Sequence, residues 1–502
     1  MSNPHGRVYL VGAGPGDPGL LTLRGAACLA MADVVLYDYL ASPELLSHCR
    51  AGTQRICLGR HGHGRLLSQT EINAAIVRHA LAGRTVVRLK GGDPAIFARL
   101  AEELAALSAA GLQYEIVPGV TAAQAASSHA SLPLTDRDEA SCVAFVTGQE
   151  KHDRSADRLD YAALARFPGT LVFYMGITTV GSWSRTLLDE GKAAATPVAI
   201  VRRCSLPDQQ SFFTTLGEVA EFVAAKKLRP PAVVIVGDVA KPREIANWFT
   251  TRPLFGRTVL ITRPDHQSDD LATRLLNLGA NVLRQPAIEI GPPADWTNVD
   301  KAIEGLASFD WLVFSSSNGV DSLLGRILAL GYDMRRLAGA RLAAIGPGTA
   351  AALAAFHVTA DLQPETYRAE SLAESLGPQV RGKRVLLIRA SRGREVLAEM
   401  LTGAGAIVEQ VVAYESRDVA AADEDIIQEL ASGRIDITTV TSSAIAHNLA
   451  RLFGDDLSKT RLAAISPLTA SVLTELGHPA AIVAGIYTTD GLVQAILAAE
   501  SV

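Results

Sequence analysis

The sequence lacks several features that would assign its class directly. Its five cysteines are odd in number, scattered and never spaced as CxxC, which argues against a disulfide framework or a zinc site. The longest uncharged stretch, 342–360, contains Gly346-Pro347-Gly348 and so predicts strand, turn and helix rather than a membrane span. With 47 basic and 52 acidic residues, the chain has no basic surplus. We expect a cytoplasmic protein with reduced thiols. It should hold no metal and should bind neither nucleic acid nor membrane.

What the sequence does have is length and an alternation of strands and helices. A chain of 502 residues exceeds what one hydrophobic core usually organises. Apolar segments such as "TVVRL" and "VAFVTG" alternate with alanine-rich helical windows through about residue 240, which is an α/β pattern. A polar stretch with prolines then precedes a new strand near Val259. We therefore expect a first domain at 1–242, a linker at 243–255 and a second domain at 256–502.

The second domain contains a tandem repeat. "GRTVLITR" ending at 263 matches "GKRVLLIR" ending at 389, and "DWLVFSSS" from 310 matches "DITTVTSS" from 436, both at a spacing of 126 residues. "RLAAIGPGTA" also has a counterpart in "RLAAISPLTA". The period is too long for a solenoid and predicts two similar α/β lobes with a ligand cleft between them.

Three glycine-containing loops follow apolar strands in the first domain. They are "GAGPGD" from 12, "GGDP" from 91 and "PGV" from 118. Glycine has no Cβ, so such loops turn tightly and approach a ligand closely. The third glycine of the first loop comes one residue too early for the dinucleotide pattern GxGxxG, although Asp38 does end the next strand. A nicotinamide-dependent dehydrogenase fused to a binding module therefore stays open as an alternative.

Together with "FYMG" at 173–176, these loops resemble the tetrapyrrole methylase family over residues 6–242. The resemblance implies a two-lobed fold, S-adenosylmethionine as methyl donor, a small-molecule tetrapyrrole substrate and a homodimer formed through this half. It also implies a set of cofactor-binding residues. They are Pro15, Gly91, Gly92, Asp93, Ile96, Thr121, Ala122, Met175 and Cys204.

The same resemblance implies two catalytic residues. The sequence also departs from the family's pattern at several positions. Asp38 occupies the family's general-base position, and Arg60 stands where its partner lysine is usual. Arginine hardly releases a proton at neutral pH. Asp136 replaces a usual histidine, Cys204 replaces a loop glycine, and "ARLAEE" from 98 replaces "GRGGEE". Two interpretations stay open: an active methyltransferase, or a degenerate or differently specific methylase domain beside an active second half.

The second half offers hydroxyl and guanidinium groups at predicted strand ends, which suit carboxylate ligands. Each of these residues taken alone is more typical of an ordinary helix cap than of a binding site. The candidate substrate-binding residues are Arg263, Ser316, Thr349, Arg389, Ser442 and Thr469.

The segments "VLITRP", "FSSSNGV", "IGPGTA" and "YTTDGL" resemble uroporphyrinogen-III synthase over about 256–500. The resemblance implies two similar lobes, no cofactor, and closure of hydroxymethylbilane with inversion of ring D. It places chain crossings between the lobes at "AIEIGPP" and "VAYESRD". Tyr414, in the second crossing, matches a tyrosine that assists loss of the hydroxyl, and its repeat partner is Ile288.

Joined, the two resemblances predict a bifunctional enzyme. The second half would make uroporphyrinogen III, and the first would methylate it twice to precorrin-2, toward siroheme or cobalamin.

Overall fold

The computed structural model describes residues 5–59, 67–149, 159–243, 246–393 and 395–501. The chain divides into two compact units, Met1–Phe255 and Gly256–Val502. Both units consist of sheets flanked by helices, which confirms the predicted α/β class.

The first unit contains two five-stranded sheets. Its strands are β1 (Val8–Gly12), β2 (Val34–Tyr37), β3 (Gln54–Cys57), β4 (Val86–Lys90), β5 (Tyr114–Val117), β6 (Val143–Thr147), β7 (Thr170–Tyr174), β8 (Pro197–Arg202), β9 (Gln210–Thr215) and β10 (Ala232–Val236). The first sheet has the order β3-β2-β4-β1-β5 and is parallel throughout. The second has the order β6-β7-β10-β8-β9, with β6 and β7 parallel and the other pairs antiparallel.

Helices cover both faces of the first sheet because β1, an interior strand, is apolar on both sides. Val8 and Leu10 of β1 belong to one buried cluster, whereas Tyr9 and Val11 belong to another, as the alternation of side chains along a strand requires. The helices of this unit are α1 (Leu23–Met31), α2 (Gln69–Leu81), α3 (Leu100–Ala109), α4 (Ala122–His129), α5 (Tyr161–Ala165), α6 (Val180–Asp189) and α7 (Val219–Ala225). The parallel strands end at one edge, where the glycine loops begin.

The segment 243–255, expected to be a linker, lies within the first compact unit. Phe249 and Leu254 are fully buried. The Phe249 ring packs edge-on against His129 with centroids 4.6 Å apart, and the Trp248 indole donates a hydrogen bond to the Ser128 carbonyl at 2.9 Å. Phe249 and Leu254 thus belong to the core of the first unit, although the polar composition and the prolines of this segment had suggested a linker.

The second unit also contains two five-stranded sheets. Its strands are β11 (Thr258–Ile261), β12 (Asn281–Arg284), β13 (Ile288–Gly291), β14 (Trp311–Phe314), β15 (Arg341–Ala344), β16 (Arg384–Ala390), β17 (Ile407–Asp418), β18 (Ile437–Val440), β19 (Arg461–Ala464) and β20 (Ile482–Val483). The first lobe has the order β12-β11-β18-β19-β20 and the second the order β13-β17-β16-β14-β15. All neighbours are parallel except β13 and β17, which are antiparallel.

The repeat in the sequence is visible in these two lobes. The run β12-β11-β18-β19 of the first lobe corresponds to β17-β16-β14-β15 of the second, and each lobe combines strands from both repeats. The expected crossings are confirmed as β13 and β17, which pair with each other. The helices are α8 (Asp265–Asn277), α9 (Thr297–Glu304), α10 (Ser317–Ala329), α11 (Pro347–Ala355), α12 (Ala369–Leu376), α13 (Val396–Gly403), α14 (Glu424–Ala431), α15 (Ser443–Phe453), α16 (Pro467–Glu475) and α17 (Thr489–Glu500).

The described part of the chain has neither a candidate membrane span nor a candidate metal cluster. None of its helices combines the length and the hydrophobicity that a membrane span requires. Within the same residues, no group of three or more histidine, cysteine, aspartate or glutamate side chains is placed to hold a metal ion.

Candidate active sites

Three loops of the first unit meet backbone to backbone at the carboxyl edge of its parallel sheet. Gly14 and Gly92 exchange two hydrogen bonds, of 3.2 and 2.7 Å. A Cβ built on Gly12 would lie 2.5 Å from the Cα of Gly119, and one on Gly119 would lie 2.4 Å from the Gly92 carbonyl oxygen. Only glycine permits these approaches, so the three loops form one surface. We call it the glycine-loop site, comprising 12–17, 91–96 and 119–122.

Asp93 fastens two of these loops together. Its Oδ1 accepts a hydrogen bond from the Ala95 amide at 2.8 Å, and its Oδ2 accepts one from the Gly119 amide at 3.0 Å. The side chain is only partly buried, so each carboxylate oxygen can accept a further hydrogen bond. Asp93 therefore shapes the site and presents a negative edge at its surface.

The second sheet of the unit supplies the other side of this site. The Thr121 hydroxyl and the Tyr174 hydroxyl lie 2.7 Å apart, and the Ser205 hydroxyl accepts a hydrogen bond from the Asp17 amide at 3.1 Å. Burial raises the pKa of Tyr174, so its phenol remains a hydrogen-bonding group rather than an anion. These contacts join both halves of the first unit around the loops.

Met175 and Cys204 lie on the second-sheet side and differ in exposure. Met175 is about half exposed and has a φ of 54°, a conformation that is uncommon for a non-glycine residue. Its side chain is therefore accessible at the surface instead of packed in the core. Cys204 is buried, with its Sγ 3.7 Å from the Ala122 carbonyl oxygen, and burial raises the pKa of its thiol to about 12. Its side chain packs in the core, so it does not occupy the surface of the site.

Asp38 follows β2, and its carboxylate is hydrogen-bonded to Arg88 of β4. Its Oδ1 accepts a hydrogen bond from Arg88 Nη2 at 2.6 Å, and its Oδ2 accepts one from the Gly91 amide at 3.3 Å. Asp38 is thus attached directly to the second glycine loop. It remains partly exposed beside the cofactor-binding candidates, where it can meet a substrate.

A cavity of about 260 Å³ opens in the second unit between its two lobes. Its wall is formed by the ends of strands and the starts of helices from both lobes, and we call it the lobe cavity. It is lined by Arg263, Pro264, Gln267, Ile288, Ile290, Asn318, Ala390, Arg392, Tyr414, Ser416, Thr441, Ser442, Ala444 and Ile445.

Arg263 presents a cation to this cavity. It donates a hydrogen bond to the Thr489 hydroxyl at 3.0 Å, and no carboxylate among the described residues forms an ion pair with it. Burial lowers its pKa, yet an arginine stays charged at any physiological pH. A partly buried guanidinium facing a cavity favours an anionic ligand such as a carboxylate.

Tyr414 lies in β17 where the chain crosses between the lobes. Its hydroxyl lies 2.8 Å from the Ser316 hydroxyl, and the residue is buried. Burial raises the pKa of this phenol, so it retains its proton at neutral pH and can act as an acid. Ile288, its partner in the repeat, lines the same cavity from β13, so the lobes are chemically unequal there.

Two family models each match one unit of the chain, and one relative matches most of the whole chain. The model of the family described as "Tetrapyrrole (Corrin/Porphyrin) Methylases" matches residues 7–220, and that of "Uroporphyrinogen-III synthase HemD" matches residues 269–494. The porphyrin biosynthesis protein HemD of Ruminiclostridium josui is 32% identical over 443 residues, which cover 88% of this chain and 87% of that protein. The chain belongs to the family of tetrapyrrole methylase–uroporphyrinogen-III synthase fusions.

Two further similar proteins are named as methyltransferases. The uroporphyrinogen-III C-methyltransferase of Bacillus subtilis is 36% identical over 67% of this chain and 69% of that protein. The crystal structure of uroporphyrin III C-methyl transferase from Thermus thermophilus shows 39% identity over 47% of this chain and 93% of that chain, with a TM-score of 0.40. Membership of the fusion family replaces the dehydrogenase alternative.

Within this family assignment, the structure gathers the cofactor-binding candidates of the methylase unit on contacting loops. Pro15, Gly91 to Asp93, Ile96, Thr121 and Ala122 lie on the glycine-loop site. Arg60, the second catalytic candidate, lies outside the described residues. Asp136 lies in a turn, where its carboxylate accepts hydrogen bonds from the Asp138 and Glu139 amides. These hydrogen bonds lower its pKa.

The six substrate-binding candidates of the synthase unit are only partly brought together. Arg263 and Ser442 line the lobe cavity, and Ser316 reaches it through Tyr414. Ser316 and Ser442 are also helix caps, accepting hydrogen bonds from the Gly319 and Ile445 amides. The other three do not line the cavity: Thr349 and Thr469 are buried in the first turns of α11 and α16, and Arg389 is paired with Glu395.

Sequence reasoning missed Arg392. Its Nε donates to the Ser416 hydroxyl at 3.1 Å and its Nη1 to Asp418 at 2.6 Å, and it lines the cavity opposite Arg263. Its Nη2 is buried and has no hydrogen-bond partner among the described residues. Such a donor fits a ligand carboxylate. The only signal in the sequence was its place just after β16, within the loop "ASRGRE".

Proposed function

We propose that the synthase unit closes hydroxymethylbilane to uroporphyrinogen III and that the methylase unit converts this product to precorrin-2 by two methylations. The observation that supports the proposal best is that each unit assembles its own site. Asp38 is bonded to the glycine-loop site through the Gly91 amide, and the lobe cavity is lined by Tyr414, Arg263 and Arg392. Family membership supplies the two chemistries that these sites have to accommodate.

In the synthase unit, we assign substrate binding to Arg263 and Arg392 and acid catalysis to Tyr414. The substrate has eight carboxylates, and two guanidinium groups on opposite lobes can hold two of them while the rest of the chain bends. Tyr414 donates its proton to the leaving hydroxyl, so that the C–O bond breaks and water departs. The Ser316 hydroxyl orients the phenol and shares the negative charge that develops on it. Ring closure with inversion of ring D follows.

In the methylase unit, the glycine-loop site fits S-adenosylmethionine. Side chains are absent where a Cβ would collide, and the Asp93 carboxylate offers acceptors beside exposed backbone. When bound, this group supplies the methyl that a nucleophilic pyrrole carbon takes. Asp38 accepts a proton from the macrocycle or stabilises its positive charge, and Arg88 and the Gly91 amide hold the carboxylate in place.

Two separate reactions with the full chain test the proposal. Hydroxymethylbilane alone should give the type III isomer of uroporphyrinogen, identified by chromatography of the oxidised product. Uroporphyrinogen III with S-adenosylmethionine carrying a ¹³C-methyl group should gain two labelled methyl groups. Formation of the type I isomer alone would refute the synthase assignment, and an unlabelled product would refute the methylase assignment.

A further inference from the structure

A chain of four charged side chains runs from Asp38 into the interior of the methylase unit. The side chain of Asp38 is 30% exposed, whereas the side chains of Arg88, Lys90 and Glu103 are 4%, 2% and 1% exposed. Charged groups are almost never buried so completely unless they are paired. The interior of this unit therefore contains a network of paired charges that ends at Asp38, the candidate general base.

The geometry links these residues in one order. Glu103 of α3 accepts a hydrogen bond from Lys90 Nζ on Oε2 at 2.6 Å and one from Arg88 Nε on Oε1 at 3.2 Å. Arg88 in turn donates from Nη1 to the Leu89 carbonyl at 2.9 Å and from Nη2 to Asp38 at 2.6 Å. All three nitrogens of the guanidinium are thereby used, and its plane is fixed.

Stability alone does not account for this arrangement. Buried ion pairs recover little more than the cost of removing their charges from water, and well-packed apolar residues often serve as well. The cost is evident at Lys90, where burial lowers the pKa despite the adjacent Glu103 carboxylate. Two positive and two negative charges balance across the network, so removing a single member leaves an uncompensated charge.

We propose that Glu103, held by Lys90, is a positioning residue that fixes the Arg88 guanidinium and through it the carboxylate of Asp38. The inference rests on the proposed function, since it assigns Asp38 to the methyl-transfer step. Asp38 is bound through both oxygens, to Arg88 and to the Gly91 amide. A small rotation of Arg88 would turn the carboxylate relative to the glycine loop, and misplacement by about 1 Å can reduce a rate by about 100-fold.

The test compares a double variant with matched controls in the full chain. Glu103→Met alone leaves a surplus positive charge and should lower the melting temperature. Lys90→Met with Glu103→Met removes one charge of each sign together with the acceptor of Arg88 Nε, so the fold should recover while Arg88 stays unfixed. We expect the double variant to bind S-adenosylhomocysteine as the wild type does and to lose roughly 10- to 100-fold in kcat for methyl transfer.

Two further variants complete the test. Glu102→Gln, next to Glu103 but exposed and paired with Arg99, should keep wild-type kcat. Glu103→Asp keeps the charge but shortens the side chain, and should fold normally with a reduced kcat. Wild-type kcat in the double variant or in Glu103→Asp would overturn the inference, as would a loss of S-adenosylhomocysteine affinity that matches the loss of kcat.

Failure of the proposed function would look different. It would appear as no methyl transfer by the wild-type chain or as an Asp38→Asn variant with wild-type kcat, and either result would overturn the positioning role as well. Loss of activity in Asp38→Asn together with wild-type kcat in the Glu103 variants would overturn the positioning role alone.

Discussion

The two units hold their candidate sites by opposite means. The methylase unit brings backbone into direct contact with backbone, through Gly12, Gly92 and Gly119, and anchors one carboxylate on buried charges. The synthase unit keeps a cavity of about 260 Å³ and lines it with side-chain donors from two lobes. The first arrangement suits a ligand of fixed shape, and the second suits a flexible one that must change its shape while bound. We therefore expect rigid and adaptable recognition in one chain.

The largest expected effect separates the two chemistries. Asp38→Asn should reduce methyl transfer by roughly 100- to 10,000-fold, because an amide neither accepts a proton nor stabilises positive charge as a carboxylate does. Formation of uroporphyrinogen III by the same variant should be unchanged. Both rates are measured on one preparation. Equal losses of the two activities would show that the substitution damages the chain generally.

A second prediction concerns where the first unit ends. A fragment of residues 1–242 lacks the fully buried Phe249 and Leu254, and it should be less stable than a fragment of residues 1–255 by roughly 3 to 5 kcal/mol. Urea unfolding of the two fragments measures this difference. Equal stability would restore 243–255 as a linker.

The third prediction tests the lobe cavity. Tyr414→Phe should slow formation of the type III isomer by roughly 100-fold, because the leaving hydroxyl loses its acid, and spontaneous closure should yield type I isomer instead. Methyl transfer to supplied uroporphyrinogen III should not change. Tyr332→Phe, which alters an exposed tyrosine of the same unit, is the control. An unchanged isomer ratio would remove Tyr414 from the mechanism.

The pH dependence of the synthase reaction follows from the same phenol. Burial raises the pKa of Tyr414 above its ordinary value near 10, so the proton is present below that value and is lost as the pH rises through the raised pKa. The contribution of Tyr414 to the rate should therefore be constant from about pH 7 to about pH 9. A fall in the ratio of wild-type to Tyr414→Phe rates within this range would contradict the raised pKa.

A smaller effect is expected from the hydrogen bond by which Asp93 joins two of the glycine loops. Asp93→Ala should weaken S-adenosylhomocysteine binding by roughly 1 to 3 kcal/mol, because the bond between the second and third loops is lost. Asp423→Ala in the synthase unit removes a similar local bond to the amide two residues later and should leave this affinity unchanged. Calorimetric titration of both variants gives the comparison.

The smallest effect is expected at Cys204. Because this thiol is buried and its pKa is raised to about 12, iodoacetamide near neutral pH should alkylate the exposed Cys57 and leave Cys204 unmodified. Cys204→Gly should cost roughly 1 kcal/mol of stability and leave S-adenosylhomocysteine affinity unchanged, since the side chain packs in the core. Mass spectrometry of labelled peptides checks the first statement.

The two sites also differ in how far they could be predicted from the sequence. The glycine loops were predictable because glycines directly after apolar strands form a pattern in the sequence, even though the contact that requires them, such as that of Gly12 with Gly119, joins distant residues. Thr349 and Thr469 resemble Ser316 and Ser442 in sequence, and only the fold shows which of them face the cavity. The roles of Arg392 and Glu103 depend on which side chains the fold places beside them, and no sequence pattern marks those contacts.

The most direct test of the central claim uses both units at once. The full chain is incubated with hydroxymethylbilane and ¹³C-methyl-labelled S-adenosylmethionine in one vessel, and the products are identified by mass spectrometry and chromatography. We predict a doubly labelled type III product, and its precursor uroporphyrinogen III when the methyl donor is omitted. Type I uroporphyrinogen alone, or a type III product that never carries label, would contradict the claim that one chain performs both steps.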